Sequence, residues 1–193
     1  MSIGIVPIVE GYGEADSVQV LLNRILQSMN AHTVHSDKPF RQKRQRIIKQ
    51  GELERAIESA IRKRRNVGAI LVLLDADRDC PAILGPELLT RARNATSLPV
   101  SVVLAKMEFE SWFLGSLESF RGFMGVPEDA VAPENPEALG KGRLEGICKP
   151  VNYKSTVHQV EFVRGLDIVA CRNRCRSFDK LCRDVEDLVN ALT

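Results

Sequence analysis

Three short runs of uninterrupted apolar residues constrain this chain most: Ile3–Val9, Gly68–Leu74 and Val100–Leu104. Each has strand length, and each is continuous rather than alternating, the pattern of a strand covered on both faces. The chain between them is helical in pattern. Val18, Leu21, Leu22, Ile25, Leu26 and Met29 recur at helical spacing after a turn at Gly11 and Gly13, so a helix is expected from near Glu14. Leu53, Ala56, Ile57, Ala60 and Ile61 mark a second helix, closed by Arg62-Lys63-Arg64-Arg65, and Ile83–Arg93 a weaker third. The order strand, helix, helix, strand, helix, strand predicts a Rossmann-like α/β fold, a mainly parallel sheet with right-handed crossovers and flanking helices.

Beyond the third strand, Glu108–Leu117 reads as helical. Gly125–Pro150 carries Pro127, Pro133, Pro136 and Pro150 with little apolar periodicity, which predicts a loop-rich insertion close to the site. Phe178, Leu181, Cys182, Val185, Leu188, Val189 and Leu192 define a C-terminal helix that should dock on the sheet. We expect a single domain over residues 1–193, its core at about 1–118 and the insertion and helical extension at about 119–193.

Composition removes several function classes. No apolar run approaches the roughly 18 residues of a membrane span. The start at Met1 lacks the pattern of a signal peptide, so a soluble, cytoplasmic protein is expected. The five cysteines are odd in number and show no Cys-x-x-Cys spacing. Reduced thiols follow, with Cys171, Cys175 and Cys182 read as helix-face packing and Trp112, Phe113 and Phe178 as core. His32, His35 and His158 are isolated, which disfavours a zinc hydrolase or a nucleophilic triad.

The acids are placed differently. In a parallel α/β sheet, ligands bind in the crevice beyond the carboxyl ends of the strands. Glu10 ends the first strand, Glu14 follows at the helix start, and the second strand runs into Asp75-Ala76-Asp77. On extended chain an Asp-x-Asp pair would send both carboxylates to one face. Clustered carboxylates raise one another's pKa unless a cation neutralises them, and an oxygen-only set suits Mg²⁺ or Mn²⁺. Glu108 and Glu110 follow the third strand, and Glu110 is a further candidate ligand. Individually, N-capping and solvated strand ends account for Glu14 and Asp77. A phosphate-cradling reading of Gly11-Tyr12-Gly13 competes, but the third glycine is absent and the flanking carboxylates would repel phosphate.

Charge is also uneven. Residues 38–65 hold eleven Lys/Arg against three Glu, within a chain whose formal net charge is +2. Lys38, Arg41, Lys43, Arg44 and Arg46 would favour a nucleic-acid phosphate backbone, with Phe40 placed to stack on a base. A basic loop facing an acidic partner protein is the other reading, and Arg62–Arg65 reads as a solvated helix end.

Val9-Glu10-Gly11 with Glu14, followed by an apolar strand into Asp75-Ala76-Asp77, resembles the TOPRIM fold of topoisomerases, primases and overcoming-lysogenization-defect nucleases. Phe109-Glu110-Ser111-Trp112-Phe113-Leu114, Tyr153-Lys154 and Arg172–Phe178 extend the resemblance over nearly the whole chain. They are similar to a family of small bacterial proteins of unknown function, DUF4276-like, with TOPRIM character. The resemblance implies that Glu10 serves in acid/base work or metal ligation, that Asp75 and Asp77 bind Mg²⁺, and that Glu14 adds a ligand for a second ion. It further implies that Lys154 stabilises charge on a pentacoordinate phosphate. The expected function is then a metal-dependent nuclease. The segment has no ATP-binding loop, and the resemblance suggests a separate ATPase partner. Two alternatives stand beside it: a degenerate subunit that binds nucleic acid or the ATPase without cutting, and a phosphatase with Asp75 as nucleophile and Asp77 as acid/base. Against the phosphatase, Arg78 follows Asp77 and no clear Ser/Thr-then-Lys series appears.

Overall fold

The computed structural model describes residues 2–193. Strand β1 (Ile3–Val9) leads into helix α1 (Tyr12–Ser28), two short edge strands β2 (Val34–Ser36) and β3 (Phe40–Arg41), and helices α2 (Arg44–Ile47) and α3 (Glu52–Arg62). Strand β4 (Val67–Asp75), helix α4 (Pro81–Ala95) and strand β5 (Val100–Ala105) complete the sheet. Helices α5 (Glu110–Gly115), α6 (Lys141–Ile147), α7 (Ser155–Gly165), α8 (Ile168–Arg174) and α9 (Arg176–Asn190) follow.

All strand pairings are parallel, in the order β2-β1-β4-β5, and β3 pairs with β1 beyond the stretch that β2 covers. This is the α/β architecture expected from the continuous apolar strands, and it is Rossmann-like. Side-chain alternation divides the core in two. Val6, Ile8, Ile70, Val72, Leu74, Val102 and Leu104 pack under α3 and α4 through Leu53, Ile57, Ala60, Leu88 and Ala92. Ile5, Val9, Leu71, Leu73 and Val103 point the other way, onto α1, α9 and the aromatic group of Phe109, Trp112, Phe113 and Phe178. Strands β1, β4 and β5 are therefore buried on both faces, which is why their sequences are continuous apolar runs, whereas the short edge strands β2 and β3 carry half-exposed polar residues.

The C-terminal helix docks beside β5, and Lys180 Nζ reaches the Val102 carbonyl at 3.2 Å. Cys171, Cys175 and Cys182 are fully buried in the core. Helix α1 begins at Tyr12, two residues before the expected start, because Gly11 already serves as its N-cap. Gly11 has φ −96°, a conformation open to other residues, so the expected turn does not require glycine there. Gly13 is needed for packing: a Cβ there would lie 2.9 Å from the Ser155 main chain and 2.8 Å from Gln159 Oε1, where α7 crosses α1. The polar, basic stretch between α1 and α3 forms β2, β3 and α2, elements that carry no apolar periodicity in the sequence. Residues 125–150 are less irregular than expected, with α6 and short 3₁₀ turns at Pro136–Ala138 and Lys149–Val151. No helix among the described residues is long and apolar enough to cross a membrane.

Candidate active site

Parallel strands end at one edge, and the register Asp75↔Ala105 with Ile8↔Val72 brings the ends of β1, β4 and β5 side by side. Four carboxylates gather there: Glu10 after β1, Glu14 in the first turn of α1, Asp75 at the end of β4 and Glu110 at the start of α5.

Three of the four are held by a definite hydrogen bond. Glu14 Oε2 turns back to accept from the Glu10 and Gly11 amides at 3.1 and 3.2 Å, capping its own helix. Asp75 Oδ1 accepts from the Phe109 amide at 2.8 Å, tying β4 to the loop after β5. Glu110 is buried, and its Oε1 accepts from the Tyr153 hydroxyl at 3.1 Å. Tyr153 is itself buried against Phe162, so it is a fixed donor. The second oxygens of Glu14 and Asp75 have no donor among the described residues, and neither is sealed from solvent.

All four carboxyls hold their protons above the ordinary carboxylate range. Burial is the leading cause at Glu14, which is pushed up to about 7 against the pull of the two amides, with Glu10 and Glu110 adding repulsion. Burial also raises Asp75, followed by the charges of Glu14, Glu110 and Glu10. Glu110 is raised by burial and by Glu108, with Tyr153 and Lys141 opposing. Glu10 is raised by burial and by Asp77, and Arg44 opposes. The acids from three strand ends thus act on one another. Even so, among the described residues no group of three or more His, Cys, Asp or Glu side chains is arranged to hold a metal ion.

Asp77 departs from the strand pattern. Asp75 is the last residue of β4, and Asp77 has φ +50°, so period-two alternation fails between them and the pair does not share a face as expected. Asp75 turns inward while the Asp77 side chain is 54% exposed, 3.6 Å from Arg44 Nη1. Met107 across from it also has positive φ, +62°, and accepts a 2.8 Å bond from the Asp77 amide, so two strained turns lock together.

Arg44 has a different role from the one its sequence context implied. It was grouped with the surface cations, but it is 8% exposed and donates to the Asp75 carbonyl at 2.9 Å, the Ala76 carbonyl at 3.3 Å and the Asp79 carboxylate. Its burial and engagement make it a brace for the end of β4. Arg41 lies over the Tyr12 ring, 3.7 Å from its centroid, and Arg46 is 3.7 Å from Glu52, while Lys38 and Lys43 are exposed. Lys154 is exposed at the N-cap of α7, next to Tyr153, and its amide donates to His158 Nδ1. Sequence reasoning did not find the Arg44 brace, the Phe109 amide or the Tyr153 donor, since each depends on distant chain meeting at one point.

Beside the acids lies an open cleft of about 600 Å³, lined by Arg44, Asp77, Arg78, Asp79, Met107, Glu108 and the segment from Ala138 to Arg143.

Fold and site together define a Rossmann-like α/β protein with a coupled carboxylate cluster at the carboxyl edge of a parallel sheet. The chain belongs to the family described as Domain of unknown function (DUF4276), whose model matches residues 9–186 and so spans all four acids. No curated protein and no solved structure matches it.

Proposed function

We propose that this chain is a TOPRIM-like, metal-dependent nuclease that hydrolyses nucleic-acid phosphodiesters with Mg²⁺ or Mn²⁺. The supporting observation is the coupled set Glu10, Glu14, Asp75 and Glu110, whose negative charges need compensation at neutral pH. An all-carboxylate donor set fits a hard divalent cation, and the unengaged oxygens of Glu14 and Asp75 are available to one. Glu14 and Asp75 would each offer their unengaged oxygen to the ion, which would complete its shell with water and substrate phosphate oxygens, since no three of these side chains are arranged to enclose it. When bound, it supplies Lewis-acid stabilisation of charge building on the phosphate oxygens.

Glu10 is half-buried, and burial raises its pKa from the ordinary carboxylate value, the direction that makes a carboxylate a stronger general base. It takes a proton from the attacking water as oxygen adds to phosphorus and the bond to the leaving sugar oxygen breaks. Lys154, exposed at the head of α7, serves the extra negative charge of the transition state. In this reading a separate ATPase partner is a further expectation. The test is cleavage of plasmid DNA, single-stranded DNA and RNA with Mg²⁺ or Mn²⁺, wild type against Asp75→Ala plus Asp77→Ala. Equal residual activity in the two proteins rejects the assignment.

A second reading, a non-catalytic nucleic-acid or ATPase-binding subunit, draws support from the structural work the acids already do: Glu14 caps α1 and Asp75 ties β4 to Phe109. Calorimetric titration with Mg²⁺ separates the two. The nuclease binds the ion through the cluster and loses heat on Glu10→Gln, whereas the scaffold gives little heat in either form. The phosphatase reading is weaker, because a carboxyl as buried and as readily protonated as Asp75 is a poor nucleophile.

A further inference from the structure

The 600 Å³ cleft beside the acids is lined by three acidic side chains, Asp77, Asp79 and Glu108, and three basic ones, Arg44, Arg78 and Arg143. Asp77 and Asp79 are both paired with Arg44. Glu108 Oε2 accepts from the Lys141 amide at 2.6 Å, a contact for which Gly140 makes room, since a Cβ there would collide with that carboxylate. Arg44 and the three acids thus have hydrogen-bonding partners in the protein, and the cleft as a whole is formally neutral, three charges of each sign. Arg78 and Arg143 are exposed, and among the described residues neither makes an ion pair or a side-chain hydrogen bond. The floor is rigid: Asp77 and Met107, both at positive φ, are joined by the 2.8 Å amide bond. Gly142 contributes bare backbone, and a Cβ there would meet nothing within 4 Å.

We propose that this cleft is a strand-binding track in which Arg78 and Arg143 hold two backbone phosphates of a nucleic acid and pass the strand to the carboxylate cluster. The inference rests on the nuclease reading of that cluster. A guanidinium free of protein partners can form bidentate bonds to a phosphate without breaking an existing contact. The cleft is large enough for a nucleotide unit and is walled largely by exposed residues, as a trough for a passing strand requires. No aromatic residue lines it, so bases have nothing to stack on and recognition rests on phosphate, with little dependence on sequence. The track lies on the α6 side of the acids, so the basic β2–β3 segment singled out by composition is not the principal contact.

The test is fluorescence anisotropy with labelled DNA and RNA oligonucleotides of about 12 residues in EDTA, a length within known single-strand site sizes. Wild type is compared with Arg78→Ala plus Arg143→Ala and with a charge-matched control, Lys38→Ala plus Lys43→Ala. All four side chains are exposed, and equal melting temperatures establish that the variants fold. We expect the cleft pair to weaken binding by about tenfold at low salt and to flatten the slope of log affinity against log salt by about 1.4, two phosphate contacts at roughly 0.7 each on a single strand. The control should change both far less. DNA and RNA losing affinity alike supports backbone recognition, and loss with only one of them supports the track with that strand as its ligand. Unchanged affinity in the cleft pair, a control that loses as much, a mononucleotide binding as tightly as the oligonucleotide, or no binding by wild type would each overturn the track. Cleavage by wild type in Mg²⁺, scored separately, decides the nuclease reading: cleavage with an unaffected cleft pair rejects the track alone.

Discussion

Replacing Glu14 by Gln removes one negative charge from the most crowded part of the cluster and keeps the shape. The amide oxygen can still accept from Glu10 and Gly11, so the cap on α1 survives. The folded protein holds the Glu14 proton up to about 7, against an ordinary value of 4.5. A carboxyl whose pKa is higher in the native state binds its proton more tightly there. Its stabilising contribution is complete below pH 4.5 and is lost as pH rises through about 7. The gap corresponds to about 3 kcal/mol. In a domain of this size that is roughly 6–12 °C in Tm. We therefore expect wild-type protein in EDTA to melt progressively lower as pH goes from 5 to 8, with Glu14→Gln falling less steeply, since Glu10, Asp75 and Glu110 remain raised by burial, and more stable than wild type at pH 8. Asp75 and Glu110 should also ionise more readily in the variant, since Glu14 is the leading charge acting on Asp75. Added Mg²⁺ should raise the wild-type Tm at pH 8 by the mass-action amount, about 2.7 kcal/mol at a hundredfold excess over Kd, and raise the variant less. The assay is thermal unfolding by circular dichroism across pH, with and without Mg²⁺. A wild-type profile that is flat or rises with pH, matched by the variant, would refute the reasoning.

Three further outcomes follow from particular contacts. Gly13→Ala pushes a methyl into the Ser155 main chain and should cost about 1–3 kcal/mol by forcing α1 from α7, read as a lower urea midpoint at unchanged m. Tyr153→Phe leaves Glu110 without its hydroxyl donor in a buried place; we expect a loss of about 1–3 kcal/mol when the carboxylate is charged, shrinking as pH falls and the carboxyl, raised by burial, takes up its proton, measured by the same denaturation. Arg44→Met strips the donors from the Asp75 and Ala76 carbonyls and should cost about 2–3 kcal/mol. Hydrogen exchange at the Ala76 and Asp77 amides should quicken in that variant, whereas Lys43→Met, one residue earlier and exposed, should change neither.

The sequence by itself determined the layered fold. Continuous apolar strands such as Gly68–Leu74 can be stable only between two helical layers, and helical spacing at Leu53–Ile61 and Phe178–Leu192 supplies those layers. It also put Glu10, Glu14, Asp75 and Asp77, with Glu110 as a further candidate, at or just beyond the strand ends, and parallel strands end on the same side. What it could not determine was which way each side chain turns. Asp75 and Asp77 look equivalent in an Asp-x-Asp string, and a single positive φ separates an inward-turned, partly buried carboxyl from an exposed one. Arg44 looks like its neighbours Lys43 and Arg46, and only the end of β4, more than thirty residues away, makes it a buried brace. Tertiary structure alone decides such roles, since the free energy of a charged side chain is set by the partners and solvent around it, and these come from chain that is remote in sequence.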